Sequence, residues 1–144
     1  MNNITPSLKF FFNLAKIQSV LTRRFDGGLG GLGLNEFMIL HHLSQARDEN
    51  LRRVDLAEKI GLTASGVTRL LAPMEKIGLI KREVNAGDAR VSSVSLAAAG
   101  RRKLAESLED AEFLAEELIP ESNAKKIEEL SGLLVEIGGN ALWN

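Results

Sequence analysis

The chain has 144 residues, of which 44% are hydrophobic, and this is the size and composition of one domain with a packed core. It contains no cysteine, which excludes disulfide bonds, thiolate metal sites and sensing through oxidation of its own thiols. No segment approaches about 20 continuous apolar residues and no signal peptide is recognisable, so we expect a soluble cytoplasmic protein.

The net charge of −1 hides an uneven distribution along the chain. Residues 1–50 carry five basic and four acidic side chains, residues 51–103 carry eleven and five, and residues 104–144 carry two and ten. The middle segment is therefore basic by six charges and the C-terminal segment acidic by eight. This asymmetry is typical of a chain in which one segment faces a polyanion and another repels it, although two differently solvated surfaces would give the same pattern.

The first predicted helix runs from Leu8 to Phe25, where apolar residues recur at helical spacing without Gly or Pro. Its apolar surface is broader than one stripe, which indicates burial against more than one neighbour and favours a partner chain. The glycine-rich segment 26–33 ends the helix. Gly28, Gly30 and Gly33 match G-x-G-x-x-G, but a helix precedes them where a dinucleotide site needs a strand, so we interpret the match as accidental.

Short elements follow in the middle of the chain. Residues 34–43 are predicted to form a helix and residues 44–50 a polar connection, with a brief strand over 51–54 and a short helix over 55–60. Gly61 stops that helix and makes a tight turn before the next one.

The clearest helix start in the sequence follows this turn. Thr63 can cap the free amides, and Leu62 can pack against Val67, so we expect a helix from Ala64 to about residue 77. Pro73 lies inside it and removes one backbone hydrogen bond, which predicts a kink.

The last third of the chain is predicted to form a hairpin and two long helices. Strands over 80–84 and 91–96 flank a polar tip at 85–90, and helices over 98–119 and 122–137 are separated by Pro120.

The helix from Ala64 has one apolar and one polar face. Ser65, Gly66, Thr68 and Arg69 are small or polar, and they follow a helix and a glycine turn. This order is typical of a helix-turn-helix whose second helix enters the DNA major groove. There Ser and Thr can bond phosphates or base edges, Arg69 can reach a guanine edge or a phosphate, and Gly66 allows close backbone approach. An ordinary amphipathic surface helix would show the same faces.

The hairpin carries basic residues as well. Lys81 and Arg82 lie in its stem, and Asp88 and Arg90 lie in its tip. A thin projection with an arginine near its end suits the narrow, electronegative minor groove, where Asp88 would hold Arg90 or the neighbouring backbone in place. A solvated turn with a surface ion pair is the alternative.

These segments resemble the MarR family of bacterial regulators. The resemblance rests on the residues from Leu56 to Leu71, from Glu75 to Ile80, Asp88-Ala89-Arg90, and Leu96 to Gly100. It implies a single domain, mainly α with a small β-hairpin wing, in which a winged helix-turn-helix at 51–100 is flanked by dimerisation helices at 1–25 and 98–144. It also implies a homodimer on a pseudo-palindromic operator in double-stranded DNA, with Ser65, Thr68 and Arg69 in the major groove and Arg90 in the minor groove.

Three positions depart from the family pattern, and one of them is Pro73 inside the helix that begins at Ala64. Ala97 stands where a capping Thr is usual, which leaves the following helix without a side-chain cap. Arg53 stands where a Ser or Thr commonly caps the first helix of the pair, and it adds a charge that can bind phosphate. The complete set of expected DNA-binding residues is Arg53, Thr63, Ser65, Gly66, Thr68, Arg69, Arg82, Asp88 and Arg90.

We therefore expect a sequence-specific transcriptional regulator, with repression as the favoured action, and not an enzyme. The only histidines, His41 and His42, point about 100° apart on a helix, and no catalytic arrangement of side chains can be named. Two alternatives stay open: a winged-helix module that binds proteins instead of DNA, and a metal-responsive regulator in which one histidine meets a ligand from another helix. We name no cofactor and no metal site.

The resemblance also places any small-molecule effector between the dimer helices and the DNA-binding unit. Phe11, Phe12, Phe37 and His41 are the candidates for that site. Plain core packing would account for the aromatic residues equally well.

Overall fold

The computed structural model describes residues 3–85 and 87–143, and it describes no side chain at positions 85, 88–91, 121 and 140–143. Within these residues the chain forms the elements α1 (Pro6–Asp26), α2 (Leu34–Gln45), β1 (Asn50–Arg52), α3 (Arg53–Ile60), α4 (Ala64–Lys76), β2 (Ile80–Asn85), β3 (Asp88–Leu96), α5 (Ala98–Leu118) and α6 (Ala124–Trp143). Short 3-10 turns at Arg47–Glu49 and Glu121–Asn123 precede β1 and α6. The predicted fold class, mainly α with a small β wing, is confirmed.

Helix α1 begins at Pro6, before the predicted start at Leu8. The hydroxyl of Thr5 accepts a hydrogen bond from the backbone N–H of Leu8 at 3.1 Å, and Pro6 takes the first helical position, where its missing N–H costs nothing. The last turn packs against the core through Phe25, yet α1 has no buried residue within the described part of the chain. Its broad apolar surface is therefore uncovered in the protomer.

The glycine-rich loop between α1 and α2 is anchored in the core. Leu29 and Leu32 are buried, and Ser107 of α5 donates a hydrogen bond to the carbonyl of Leu29 at 3.4 Å. The ammonium group of Lys103 donates to the carbonyl of Gly30, which has a left-handed φ of 61°. A helix lies on each side of the loop, so the strand that a dinucleotide site needs is missing, as the sequence indicated.

The boundary between β1 and α3 differs from the prediction. We expected a strand over 51–54 and a helix over 55–60, but β1 ends at Arg52 and α3 begins at Arg53. Strand β1 pairs with only three positions of β3, and Arg52 then leaves the strand as an extended N-cap residue with φ −65° and ψ 146°. The helix start overrides the strand preference of Val54, whose side chain is 47% exposed on α3.

The three strands form one antiparallel sheet in the order β1-β3-β2. Strands β2 and β3 are the predicted hairpin, and β1 lies on the other side of β3. Strand β3 begins at Asp88, so the backbone of Asp88 and Arg90 belongs to the strand and not to the predicted turn at 85–90. Pairing with β2 extends further than the hydrophobic pattern indicated, because backbone hydrogen bonds do not require apolar side chains. The expected contact between the side chains of Asp88 and Arg90 lies outside the described part of the chain.

The hydrophobic core lies between the glycine-rich loop, α2, the α3–α4 pair, the base of the sheet and the middle of α5. Its buried members are Leu29, Leu32, Ile39, Leu40, Leu43, Leu56, Ala57, Val67, Leu71, Met74, Leu79, Ile80, Val94, Leu96 and Ala111. Ile80 and Leu96 face each other across β2 and β3, so the base of the wing is part of this core. The wing and α4 therefore pack against the same hydrophobic core, which fixes their relative position.

Helices α5 and α6 form a long C-terminal arm. Helix α5 starts after Ala97 with no side-chain cap, as predicted, and ends at Leu118 ahead of the extended Ile119 and Pro120. Helix α6 continues to Trp143, past the predicted end at residue 137. Large apolar side chains stay exposed along both helices, among them Leu108, Phe113, Leu130, Leu133, Leu134 and Val135.

Candidate nucleic-acid interface

A tight turn sets α4 against α3. Gly61 has a left-handed backbone with φ 71° and ψ 27°, and the N–H of Leu62 donates to the carbonyl of Ala57 at 3.0 Å, which closes the end of α3. The Thr63 hydroxyl then accepts a hydrogen bond from the N–H of Gly66 at 3.0 Å and caps α4. The predicted cap is confirmed: the side chain of Thr63 stabilises the first turn of α4.

Helix α4 has the two faces that the sequence predicted, except that Ile77, whose spacing predicts burial, is 68% exposed at the end of the helix. Val67, Leu71 and Met74 are buried, whereas Ser65 and Arg69 are exposed. Arg69 has no polar partner among the described residues, and the Ser65 hydroxyl lies 3.3 Å from the Thr63 hydroxyl. The exposed face of the first two turns of α4 is therefore available to a ligand. The guanidinium group of Arg69 can bind that ligand, because no described side chain pairs with it.

Gly66 and Pro73 are the two residues of α4 with special backbone properties. A Cβ on Gly66 would lie 3.1 Å from the Thr63 hydroxyl oxygen, so a small residue protects the cap at this position. Helix α4 continues through Pro73 to Lys76, and the kink expected at this proline stays a prediction.

Arg53 is directed toward α4. The N-cap of α3 is Arg52, and Arg53 is the first helical residue, so the expectation that Arg53 stands at the cap is wrong. Its Nη1 donates to the hydroxyl of Thr68 at 3.0 Å, and Thr68 donates in turn to the carbonyl of Ala64 at 2.9 Å. The structure brings Arg53 and Thr68 together, and the hydroxyl of Thr68 already has two partners within the protein.

The base of the wing is tied to the end of α4 by an ion pair. The Nε of Arg82 donates to a carboxylate oxygen of Glu75 at 2.7 Å. This hydrogen bond stabilises the ionised carboxylate and lowers the pKa of Glu75 from its ordinary value. The ion pair thus links Arg82 of the wing to α4, and the expected contact of Arg82 with DNA stays a prediction.

The expected contacts of Asp88 and Arg90 with DNA concern side chains outside the described part of the chain. The backbone of both residues continues the outer end of β3, beside Gly87 in the turn.

Two basic residues near α4 were not among the candidates. Arg52 is held by Asp55 through hydrogen bonds of 2.9 and 3.1 Å, and this contact lowers the pKa of Asp55. Lys59 is exposed on α3 and lies near enough to His42 to affect its titration. The excess of basic residues over positions 51–103 could have indicated both, because that count includes Arg52 and Lys59 beside α4.

The four candidate effector residues occupy different environments. Phe37 packs against the core, while His41 is exposed on α2. Phe11 and Phe12 are 46% and 58% exposed on α1. A groove of about 430 Å³ lies instead between α5 and α6, and none of the four lines it. An effector site at these residues stays a prediction.

His41 and His42 are neighbours, with ring centroids 5.5 Å apart. Burial, followed by the nearby charges of His41 and Lys59, lowers the pKa of His42 from 6.5. The described residues contain no cluster of three His, Asp or Glu side chains that could hold a metal ion. None of the helices in this part of the chain is long and apolar enough to cross a membrane.

Comparison with known proteins agrees with this architecture. Residues 32–92 match the sequence model of the MarR family. The HTH-type transcriptional repressor YetL of Bacillus subtilis is 30% identical to the chain over 104 residues, which make up 71% of this chain and 62% of YetL. The chain therefore spans less than two thirds of the length of that relative.

Two solved structures share the fold across almost the whole chain. The transcriptional regulator BldR from Sulfolobus solfataricus has 28% identity and a TM-score of 0.79, over 94% of this chain and 99% of BldR. Sco3205, a MarR family regulator from Streptomyces coelicolor solved in complex with DNA, has 19% identity and a TM-score of 0.78, over 94% of this chain and 90% of Sco3205. Taken with the capped α4, the Gly61 turn and the three-stranded sheet, these matches show that residues 32–92 carry the sequence pattern of the MarR family and that the chain is similar in fold to transcriptional regulators of that family.

Proposed function

We propose that this chain is a homodimeric repressor that binds a pseudo-palindromic operator in double-stranded DNA through α4 and the wing. The observation that carries the proposal is the first half of α4. Its inner side chains are buried, its start is capped by Thr63, and its outer face presents Ser65 and Arg69, which has no polar partner within the described part of the chain. A rigid helix with a free guanidinium can bond guanine edges in the major groove.

The distribution of charge supports the orientation of the bound chain. Residues 51–103 hold eleven basic and five acidic side chains, whereas residues 104–144 hold two and ten. The basic segment includes α3, α4 and the wing, and the acidic segment includes most of α5 and all of α6. Phosphates attract the first and repel the second, so α4 and the wing face the duplex and the C-terminal arm points away from it.

The apolar surface of the outer helices supports a homodimer. Exposed large apolar side chains occur at or beside α1, α5 and α6: Ile4, Leu8, Phe11, Phe12, Ile17, Leu108, Phe113, Leu118, Ile119, Leu130, Leu133, Leu134 and Val135. A soluble monomer rarely exposes so many together. A second copy of the chain can cover them, and a two-fold pair would present two α4 helices to successive turns of the major groove, about 34–36 Å apart.

Selection of bound fragments from a random duplex pool tests the DNA function directly. We expect a two-fold motif with a fixed half-site spacing. Binding to this motif should weaken steeply between low and moderate salt, because each neutralised phosphate releases counterions. No enriched motif, together with no affinity for duplex DNA at low salt, would refute the proposal.

Arg69→Ala tests the helix that we assign to the major groove. We expect a loss of about 1–3 kcal/mol in operator binding and relaxed sequence preference at one position of each half-site. Lys125→Ala on α6 is the matched control, since it also removes an exposed positive charge, and its affinity should be unchanged. Equal affinities of the two variants in a gel-shift titration would contradict the role of Arg69.

The proposed dimer interface is tested by introducing two negative charges on the exposed apolar face of α6. Leu130→Glu combined with Leu134→Glu should give a monomer in sedimentation equilibrium at micromolar concentration, with its helical content retained because both side chains are already about 40% exposed. Ser131→Glu is the control at a polar position of the same helix. A wild-type monomer, or a double variant that stays dimeric, would refute this interface.

A further inference from the structure

The hydroxyl group of Thr68 is already bonded inside the protein. It donates its proton to the carbonyl of Ala64 at 2.9 Å, and it accepts a hydrogen bond from Nη1 of Arg53 at 3.0 Å. The first bond fixes the side chain to its own helix and the second fixes it to α3. The remaining substituent of Cβ, the methyl group, forms no hydrogen bonds, and Thr68 as a whole is half-buried on α4.

Arg53 keeps the hydroxyl in this arrangement. The Arg53 side chain is half-buried and has no carboxylate partner among the described residues. Its Nε is buried without a hydrogen-bond partner in the same part of the chain. Rotation of Thr68 toward a base would therefore remove the hydrogen bond from Nη1, the one that this guanidinium makes among the described side chains, and a poorly paired buried charge is costly.

We infer that Thr68 recognises its base pair through the methyl group and favours thymine there, and that Arg53 is the positioning residue that holds Thr68 in this orientation. Thymine is the base with an apolar group, the 5-methyl, on its major-groove edge. A threonine methyl can pack against it without any change in the two hydrogen bonds. The inference rests on the proposed function, because it concerns the base contacts of α4.

Replacement of thymine by uracil removes only the 5-methyl group, so it tests the contact without altering hydrogen bonding. Each thymine of the selected half-site is replaced in turn, and binding of the wild-type full-length chain is titrated. We expect one position at which uracil weakens binding by about fourfold per half-site, the factor that corresponds to burial of one methyl group.

Two substitutions separate the methyl from the hydroxyl. Thr68→Ser keeps the hydroxyl and deletes the methyl, so it should bind the thymine and uracil operators equally at that position. Thr68→Val keeps a methyl and deletes the hydroxyl, so it should still prefer thymine. The opposite pattern, with discrimination kept by Ser and lost by Val, would overturn the inference in favour of a hydroxyl contact. Equal discrimination by wild type and both variants would also overturn it.

The positioning role of Arg53 has its own measurement. Arg53→Met removes the donor that holds the Thr68 hydroxyl, and we expect the preference for thymine over uracil to shrink toward onefold. A purely structural role would lower stability and leave that ratio unchanged. Thr22→Ser is the matched control for Thr68→Ser, because the Thr22 hydroxyl also donates to the carbonyl four residues earlier, at 2.9 Å, but on α1. It should keep the wild-type ratio.

Failure of the inference differs from failure of the proposed function. A wild-type chain that binds its selected operator but tolerates uracil at every position refutes the methyl contact alone. A wild-type chain that binds no duplex refutes both.

Discussion

Substitution of Gly100 by alanine should destabilise the junction between the wing and α5. Gly100 lies in the first turn of α5, and a Cβ there would overlap the backbone carbonyl oxygen of Leu79 and lie 2.8 Å from Cδ1 of Leu96. The Leu79 backbone cannot move freely. Its carbonyl accepts a hydrogen bond from Ala97 at 3.1 Å, and its N–H donates to Met74 at 3.0 Å.

The expected loss follows from three contributions. Overpacking of this kind costs about 1–3 kcal/mol, and loss of the hydrogen bond between Ala97 and Leu79 costs about 1 kcal/mol. Alanine is the better helix former, which offsets about 1 kcal/mol. The net effect on the free energy of unfolding of Gly100→Ala is a loss of about 1–3 kcal/mol.

Urea unfolding at equal protomer concentration measures this difference, and the fixed concentration is needed because dimer stability depends on it. Gly132→Ala on α6 is the matched control, since a Cβ there meets nothing within 4 Å, and it should gain up to about 1 kcal/mol. If Gly100→Ala proved as stable as the wild type, the close contact with Leu79 would not constrain this position and the reasoning would be wrong.

Two further outcomes follow from local contacts. Thr63→Ala should lose about 1 kcal/mol of stability through loss of the α4 cap, and Thr63→Ser should restore it in thermal unfolding; equal midpoints for both variants would contradict the cap. The pKa of His42 is lowered in the folded chain, so the unfolded chain takes up the proton first, and stability should be complete above pH 6.5 and fall as the pH drops below that value. His42→Gln should remove that part of the decrease in urea titrations between pH 7.5 and 5.5, and an unchanged pH dependence would exclude His42 as its source.

Local sequence signals predicted the elements that carry the candidate site. Thr63 caps α4 and Gly61 ends α3, because caps and left-handed turns are determined by residues within a few positions of each other. The helical spacing of apolar and polar residues similarly predicted the buried and exposed faces of α4. The sequence predicted the boundaries between elements less accurately than the elements themselves. Strand β1 and helix α3 meet two residues earlier than expected, because the start of α3 at Arg53 overrides the strand preference of Val54.

The roles of individual side chains depended on distant partners. The sequence predicted Arg53 and Arg82 as DNA-binding residues, which stays a prediction, but it did not indicate that in the folded chain Arg53 bonds Thr68 and Arg82 pairs with Glu75. Both partners come from another element of the fold. Charge composition indicates that a segment is basic, but it cannot indicate which cations are already paired.

The amino-acid sequence alone thus determined the helix-turn-helix, the wing and the basic surface, since these follow from short-range periodicity, capping and charge. The tertiary structure decided which groups are still free to bind. It leaves Arg69 unpaired among the described residues, holds the Thr68 hydroxyl between two helices, and places the Leu79 carbonyl where only a glycine fits at position 100. The physical reason is that hydrogen bonds and close packing between elements form only when the core brings distant segments together.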